Sequence, residues 1–304
     1  MNRQHRNTIC MENAEVLHHL AFPSDQFILR LHAPKCAKKA IPGSFVHIQC
    51  DSDLPMRRPL SIMRINAEEG WIEVLYKTVG AGLQALSKHK SGDRVSILGP
   101  IGNGFHPDDD QPLIVMIGGG VGIPPLIFLG EYLRDHAWRD NGWHPMVTHT
   151  ADSVAFFGSE IPFPFELQES GITLPGCPES ATTTIEIMET CNIPCRLAST
   201  AGFAGCYPGM VTELAGEWLK TLNQNKLATA TIFACGPEPM LRATARLARE
   251  FDLPSQLCLE EFMACAVGGC AGCTVEVFTD AGSAMKRVCV DGPVFDGEAV
   301  YPTL

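Results

Sequence analysis

The stretch Leu113-Ile-Val-Met-Ile-Gly-Gly-Gly-Val-Gly-Ile-Pro-Pro-Leu-Ile-Phe-Leu129 is the most apolar in the chain, and its reading decides the fold. A membrane helix needs about 20 apolar residues and rarely carries a break in its middle. Here Gly118, Gly119, Gly120, Gly122, Pro124 and Pro125 interrupt the run. The better reading is a buried strand over Leu113 to Ile117, a glycine turn, and a helix over Pro125 to Arg134. Bare glycines let a pyrophosphate approach the backbone, and a helix N-terminus favours its charge. Pro124 and Pro125 suit a first helical turn. The pattern is not G-x-G-x-x-G, so a plain strand-to-helix turn stays open beside the phosphate site.

Upstream, the first hundred residues read as short strands: Gln26 to Leu31, Ser44 to Gln49, Leu60 to Ile65, Trp71 to Lys77 and Arg94 to Leu98. Pro42-Gly43, Glu69-Gly70 and Ser91-Gly92 supply turns between them. Strands at this spacing predict a small antiparallel barrel or sandwich, with a short helix over Ala81 to Lys88. The segment Pro107 to Pro112, PDDDQP, reads as a solvated linker. Downstream, strands at Val154 to Phe157 and Thr231 to Cys235 alternate with helices at Thr182 to Thr190, Val211 to Leu219 and Pro239 to Arg249. That alternation predicts a parallel sheet with crossover helices. Pro162 to Ser180 has no period and reads as a loop.

The chain has 304 residues, a net charge of −11 and 13 cysteines. The acidic balance argues against nucleic acid as a partner, because phosphates need a basic face. The odd cysteine count fits poorly with a disulfide framework. Met1 to Cys10 lacks an apolar signal core, so a cytoplasmic protein with reduced thiols is expected.

The strongest local signal is Met263-Ala-Cys-Ala-Val-Gly-Gly-Cys-Ala-Gly-Cys273, followed by Cys289. Cys265, Cys270, Cys273 and Cys289 have the spacing C-x4-C-x2-C…C of plant-type [2Fe–2S] proteins. Gly268, Gly269 and Gly272 let the loop turn tightly and aim N–H groups at sulfur. A hairpin of Thr274 to Phe278 and Lys286 to Val290 would return Cys289 to the loop. Zinc and buried free thiols are the alternatives; structural zinc prefers two separated C-x2-C pairs. Cys10, Cys36, Cys50, Cys177, Cys191, Cys195, Cys206 and Cys258 form no compact ligand motif, and the ten histidines read as core or surface residues.

Two further motifs stand out. Met56-Arg-Arg-Pro-Leu-Ser-Ile62 offers guanidinium groups for phosphate oxygens and a serine hydroxyl for a ring nitrogen. Ala234-Cys-Gly-Pro-Glu-Pro-Met240 puts Cys235 at the C-terminal end of a parallel strand, where open α/β sheets bind ligands. Taken alone, the plainer readings, exposed arginines before a strand and a buried cysteine before a helix, account for each better.

In combination, Arg-Pro-Leu-Ser, the glycine loop, Cys-Gly-Pro and the four-cysteine cluster resemble the ferredoxin–NADP+ reductase superfamily. More closely they resemble the electron-transfer subunits of dihydroorotate dehydrogenase B. Arg287-Val-Cys-Val-Asp-Gly-Pro-Val-Phe295 and Gly99-Pro-Ile-Gly-Asn-Gly-Phe105 add to the likeness, which spans nearly the whole chain. The resemblance implies a multidomain β and α/β protein. An antiparallel FAD-binding barrel would span residues 1–106, a parallel-sheet NAD-binding domain 107–252 and a small [2Fe–2S] domain 253–304.

It implies that Arg58, Pro59, Leu60 and Ser61 contact FAD, with Arg58 on its phosphates and Ser61 near N5. Leu75, Tyr76 and Lys77 would line the flavin, and Gly82 and Leu83 would approach its pyrophosphate. Gly118, Gly119, Gly120, Gly122 and Pro124 would take the NAD pyrophosphate, and Cys235 would lie at the nicotinamide. The donor would be an FMN-containing dihydroorotate dehydrogenase catalytic subunit, with NAD as acceptor.

Two departures from the family pattern bear on the site. Leu83 stands where a Thr or Ser is usual, and Ser199-Thr-Ala-Gly202 lacks the Asp residues often found before that glycine. The rival readings are an NAD(P)H-dependent reductase feeding an oxygenase or ferredoxin-type acceptor, and a non-catalytic zinc-binding scaffold.

Overall fold

The computed structural model describes residues 8–108, 110–136, 153–279 and 281–302. Met1 to Asn7, Asp109, His149 and Asp280, on which some sequence expectations fall, lie outside the described residues. The chain divides into two compact units. One holds residues 1–104 and 259–294; the other holds 105–258 and 295–304.

The first unit is built on a closed six-stranded barrel, order β1-β2-β5-β4-β3-β6. Its strands are β1 (Cys10–Phe22), β2 (Gln26–His32), β3 (Phe45–Ile48), β4 (Arg58–Asn66), β5 (Trp71–Lys77) and β6 (Arg94–Ile101). All neighbouring pairs are antiparallel. The short helices α1 (Pro34–Ala37) and α2 (Gly80–Leu86) fill two of the connections. Val16, Leu29, Leu31, Val46, Ile48, Ile62, Ile72, Val74 and Ile97 are completely buried and form the barrel core. Glu73 is buried too, held by the guanidinium groups of Arg30 at 2.8 Å and Arg64 at 3.6 Å. Arg30 also lies over the Trp71 ring, 4.0 Å from its centre.

The long first strand was not expected from sequence, because its polar and acidic residues interrupt the alternation. It bends at a bulge between Val16 and His18. Its first half pairs with β6 and its second half with β2, which closes the barrel.

The second unit is a six-stranded sheet in the order β11-β8-β7-β12-β13-β16. Its elements begin with β7 (Leu113–Gly119), α3 (Pro124–His136) and β8 (Ser153–Gly158). The chain then makes a two-stranded outlier, β9 (Leu167–Glu169) with β10 (Thr183–Ile185), before α4 (Glu186–Thr190) and β11 (Cys195–Ala198). Next come α5 (Val211–Leu219), α6 (Gln224–Leu227), β12 (Ala230–Cys235), α7 (Glu238–Glu250) and β13 (Ser255–Cys258). The pairs β11–β8, β8–β7, β7–β12 and β12–β13 are parallel. Every residue of β7 and of β12 is buried, the continuous apolar run that a doubly covered parallel strand requires. The hairpin β14 (Thr274–Thr279) with β15 (Gly282–Arg287) belongs to the first unit. β16 (Val294–Asp296) and α8 (Gly297–Val300) end the described chain.

Two sequence expectations are corrected here. The helix expected over Thr182 to Thr190 begins only at Glu186, because the β-branched residues Thr183, Thr184 and Ile185 pair as a strand with β9. The loop expected over Pro162 to Ser180 therefore contains that partner strand. Arg196 of β11 is buried and pins this segment to the sheet edge. Its guanidinium donates to Ser170 Oγ at 2.8 Å and to the Ile172 carbonyl at 2.7 Å. Among the described residues no helix is long and apolar enough to cross a membrane.

Candidate functional site

Cys265, Cys270 and Cys273 lie on the loop before β14, and Cys289 lies in the turn after β15. The hairpin brings them together, because Thr274 pairs with Arg287 and the Val288 N–H bonds the Cys273 carbonyl. The loop is wound through left-handed residues: Ala266 and Ala271 both have φ 55°, and Gly268 has φ 79°. Each alanine directly follows a cysteine. A left-handed alanine costs about 1–2 kcal/mol, so the winding marks a functional constraint on the loop. Its effect is to turn backbone N–H groups inward. The Cys270 N–H faces Cys265 Sγ and the Gly272 N–H faces Cys270 Sγ, both at 3.4 Å.

Burial raises the Cys265 thiol, but N–H groups of Val267, Cys270 and Gly269 and the Cys270 side chain outweigh it and bring the thiol down to about 7. Burial and the neighbouring Cys273 push Cys289 up to about 12. The four thiols thus gather around one loop and one turn, Cys270 beside Cys265 and Cys273 held to the turn of Cys289 by the Val288 bond. Among the described residues no group of three or more His, Cys, Asp or Glu converges on one ion position. Three cysteines on one loop with a fourth from the following turn suit a core of two irons better than the two separated C-x2-C pairs of structural zinc.

The flanking residues hold this arrangement. Arg287 Nη1 donates to the Gly268 carbonyl at 3.0 Å, and the Arg287 N–H donates to Asp291 at 2.7 Å. Asn103 donates its side-chain amide to the Val290 and Asp291 carbonyls, and its N–H to the Gly292 carbonyl at 2.6 Å. All thirteen cysteines are free thiols.

The same unit carries the Arg58-Pro-Leu-Ser61 segment on β4. A Cβ on Gly82 would lie 3.0 Å from Arg58 Nε and 3.2 Å from Nη2, so the guanidinium lies directly over the start of α2. The Arg58 Nη1 group caps the Met56 and Arg57 carbonyls. Val79, the residue before α2, offers that helix no side-chain cap. An arginine and uncapped amides are the kinds of group that an anion recruits. Arg57 is not part of it: its guanidinium is bonded to the His47 and Ser96 carbonyls and to Ser96 Oγ, across β3 and β6. Ser61 is half-buried beside Leu60. Leu75 and Tyr76 are buried; the Tyr76 hydroxyl is 2.8 Å from His19 Nε2, and its ring stacks on Phe27. Lys77 ends β5, half-buried, and Leu83 is half-buried in α2.

In the second unit the chain runs from β7 outward to β11, then returns to β12 on the other side of β7. The topological switch point therefore lies between the ends of β7 and β12, where such sheets bind ligands. Gly118 and Gly119 end β7, Gly120 to Gly122 form a single tight helical turn, and Pro124 begins α3. Gly120 has φ 54° and open space around it. A Cβ on Gly122, by contrast, would lie 2.5 Å from the carbonyl carbon and oxygen of Cys235. Backbone meets backbone there, beside the buried Cys235 thiol. One strand further out, the Thr200 N–H and hydroxyl donate to the Glu160 carboxylate.

Residues 260–301 match the family described as the iron-sulfur cluster binding domain of dihydroorotate dehydrogenase B. Over 281 residues the chain is 30% identical to the dihydroorotate dehydrogenase B (NAD(+)) electron transfer subunit of Shouchella clausii, covering 91% of this chain and 93% of that one. The chain belongs to that family. The corresponding subunit of Geobacillus kaustophilus is 33% identical over 266 residues, covering 85% and 86% of the two chains. A solved NADH-dependent reduced ferredoxin-NADP oxidoreductase, studied for flavin-based electron bifurcation, superposes with a TM-score of 0.72 at 26% identity. It covers 95% of this chain and is itself covered to 90%. The ferredoxin reductase of carbazole 1,9a-dioxygenase shares the fold, with a TM-score of 0.55 at 20% identity.

Within the dihydroorotate dehydrogenase B electron-transfer family, three groups around these sites escaped the reading of motifs. Arg287 carries no signal of its own within its motif, yet it ties the cysteine loop at Gly268 to the turn that holds Cys289. Glu160 occupies the loop beside the aspartate-free Ser199 to Gly202 segment. His47 reads as one more core or surface histidine, yet neither of its buried ring nitrogens has a hydrogen-bond partner among the described residues.

Proposed function

We propose that this chain is the cytoplasmic electron-transfer subunit that carries electrons from an FMN-containing dihydroorotate dehydrogenase catalytic subunit through a [2Fe–2S] cluster and FAD to NAD+. The observation that carries this reading is the four-cysteine loop and turn, in one compact unit with the Arg58 guanidinium over Gly82, in a chain of this family. The bound flavin joins one-electron exchange with the cluster to two-electron exchange with nicotinamide. Functionally the chain divides at residues 1–106, 107–252 and 253–304 into flavin, nucleotide and cluster segments.

Each segment has its own residues for this task. Cys265, Cys270, Cys273 and Cys289 would hold the cluster, which would supply one-electron transfer, and the left-handed loop directs N–H groups at the Cys265 and Cys270 sulfurs. Arg58 holds the FAD phosphates, helped by the backbone at Gly82 and Leu83; with Leu83 in place of a hydroxyl residue, Arg58 carries more of that contact. Pro59, Leu60, Leu75, Tyr76 and Lys77 shape the flavin site. Because the Tyr76 hydroxyl is bonded to His19, that residue contributes position rather than a free donor. Ser61 offers its hydroxyl to N5. Gly118 to Pro124 cradle the NAD pyrophosphate, and Cys235 borders the nicotinamide.

The decisive experiment is affinity purification from native cells with cofactor analysis and an NAD+ reduction assay. Recovery of an FMN-containing dehydrogenase and dihydroorotate-dependent NAD+ reduction are expected. A protein that reduces acceptors with NADH but never binds such a partner would instead be a reductase component, and a colourless zinc protein would be a scaffold.

Replacing Arg58 separates phosphate binding from barrel stability. Among the described residues its own hydrogen bonds reach the Met56 and Arg57 carbonyls alone, so Arg58→Ala keeps the barrel. It loses a charged contact worth about 1.5–3 kcal/mol, which weakens FAD by roughly 10- to 100-fold. Titrating FAD into deflavinated protein measures this. Unchanged affinity would remove Arg58 from the site.

A further inference from the structure

The loops that leave β8 and β11 meet over a carboxylate. Each loop opens with a buried serine that locks a tight turn. Ser159 Oγ donates to the Ile161 carbonyl at 2.7 Å, and Ser199 Oγ accepts the Ala201 N–H at 3.1 Å. The residues in the middle of these two turns are Glu160 and Thr200. The Thr200 N–H donates to Glu160 Oε1 at 3.2 Å, and the Thr200 hydroxyl donates to Oε2. Three residues further along each loop, the rings of Phe163 and Phe203 meet edge to face. The Glu160 carboxylate is therefore held in one place, yet it stays exposed.

Its position in the sheet gives it a use. Gly119, at the glycine turn, is in register with Gly158 of β8, and Gly158 is in register with Ala198 of β11. Glu160 thus stands two residues past the strand end that adjoins the glycine turn, one strand spacing of about 4.8 Å across. β7, α3 and β8 form a parallel strand–helix–strand unit. In such units the pyrophosphate sits at the turn after the first strand, and an acidic side chain further on receives the ribose hydroxyl. An ionised carboxylate offers about four acceptor positions. Thr200 occupies one on each oxygen, which leaves one on each for a pair of neighbouring hydroxyls. Residues 159–166 and 199–210 contain no Lys, Arg or His. A phosphate on the ribose would meet a negative charge there, with no cation from either loop.

We propose that Glu160, aimed by Thr200, is the specificity residue of the coenzyme site: it accepts the hydroxyls of the adenosine ribose and repels a 2′-phosphate. The proposal rests on the NAD site proposed above and adds to it a residue from the loop of the neighbouring strand. The glycine turn recognises a pyrophosphate, which both coenzymes share. Glu160 separates them, by a contact to one and a like charge against the other.

The test is equilibrium binding to the full chain by calorimetry, with ADP-ribose and 2′-phospho-ADP-ribose as probes. Neither probe carries a nicotinamide, so no electron transfer enters the measurement. The wild-type chain is expected to prefer ADP-ribose. Glu160→Gln keeps the size of the side chain and an acceptor for the Thr200 N–H. It should weaken ADP-ribose by about tenfold and tighten the phosphorylated probe by about tenfold, so that the preference is lost. Thr200→Val removes the hydroxyl but leaves the charge. It should weaken ADP-ribose less and keep the preference.

Glu160→Gln with wild-type affinity for both probes overturns the proposal. Equal loss of the preference in Thr200→Val shows that the carboxylate only staples the two loops, and overturns it as well. Both outcomes leave the proposed coenzyme function standing. A wild-type chain that binds neither probe overturns that function, and this inference with it.

Discussion

Gly122→Ala is expected to abolish coenzyme reduction of the flavin while leaving flavin and cluster absorbance intact. The new Cβ would sit 2.5 Å from the carbonyl carbon and oxygen of Cys235 and from the Gly236 Cα. These are backbone atoms at the end of a fully buried strand, so they cannot swing aside as a side chain can. The ends of β7 and β12 have to separate, and overpacking of this kind costs about 1–3 kcal/mol or more. The separation falls at the switch point where the NAD pyrophosphate is proposed to lie.

Neighbouring glycines make a graded control. Gly119→Ala meets the Met240 sulfur at 2.6 Å, a flexible thioether that can move. Gly120→Ala meets nothing within 4 Å and is opposed only by its φ of 54°, a cost of about 1–2 kcal/mol. Stopped-flow reduction of the flavin by NADH should therefore show kcat/KM falling by about 100-fold or more for Gly122→Ala, equivalent to at least ~2.7 kcal/mol. Gly119→Ala and Gly120→Ala should lose less. A Gly122→Ala protein with wild-type NADH kinetics would mean that the coenzyme does not use this crevice.

That glycine run was also the part of the fold most legible in the sequence, because strand, turn and helix each left a separate mark. The apolar run fixed β7, the glycines fixed the turn, and the paired prolines fixed the start of α3. The cysteine spacing was legible for a similar reason: ligand geometry constrains it directly. What was hidden depends on partners far away in the chain. β1 reads as polar because half of it faces solvent, and its second neighbour is β6, more than seventy residues on. β11 and β13 are four residues long, too short to display a period. His47 was indistinguishable from any core histidine, because its oddity lies in what it fails to bond. Ala266 and Ala271 were equally silent: nothing in an alanine announces a left-handed backbone.

Those two alanines lead to the second large effect, on the cluster itself. Cys289→Ala should eliminate the iron–sulfur absorbance and the acid-labile sulfide while FAD remains bound. Cys289 is the one proposed ligand outside the loop, so its loss leaves only the thiolates of the loop itself. Of these, Cys265 and Cys270 are the more exposed and cannot shield a partial cluster from water. Gly268→Ala tests whether loop geometry matters as much as the ligands. Its φ is 79°, and a Cβ would lie 2.5 Å from a Val290 methyl and 3.3 Å from the Arg287 guanidinium that donates to the Gly268 carbonyl. The substitution pays a backbone cost of about 1–2 kcal/mol and also displaces the clamp between the loop and the turn of Cys289. Iron content after reconstitution should be near zero for Cys289→Ala and strongly reduced for Gly268→Ala. Cys177→Ser, outside the cluster, should match wild type. Full iron in Gly268→Ala would show that four thiols suffice whatever the path of the loop. Full iron in Cys289→Ala would remove Cys289 from the ligand set and reopen the question of what binds there.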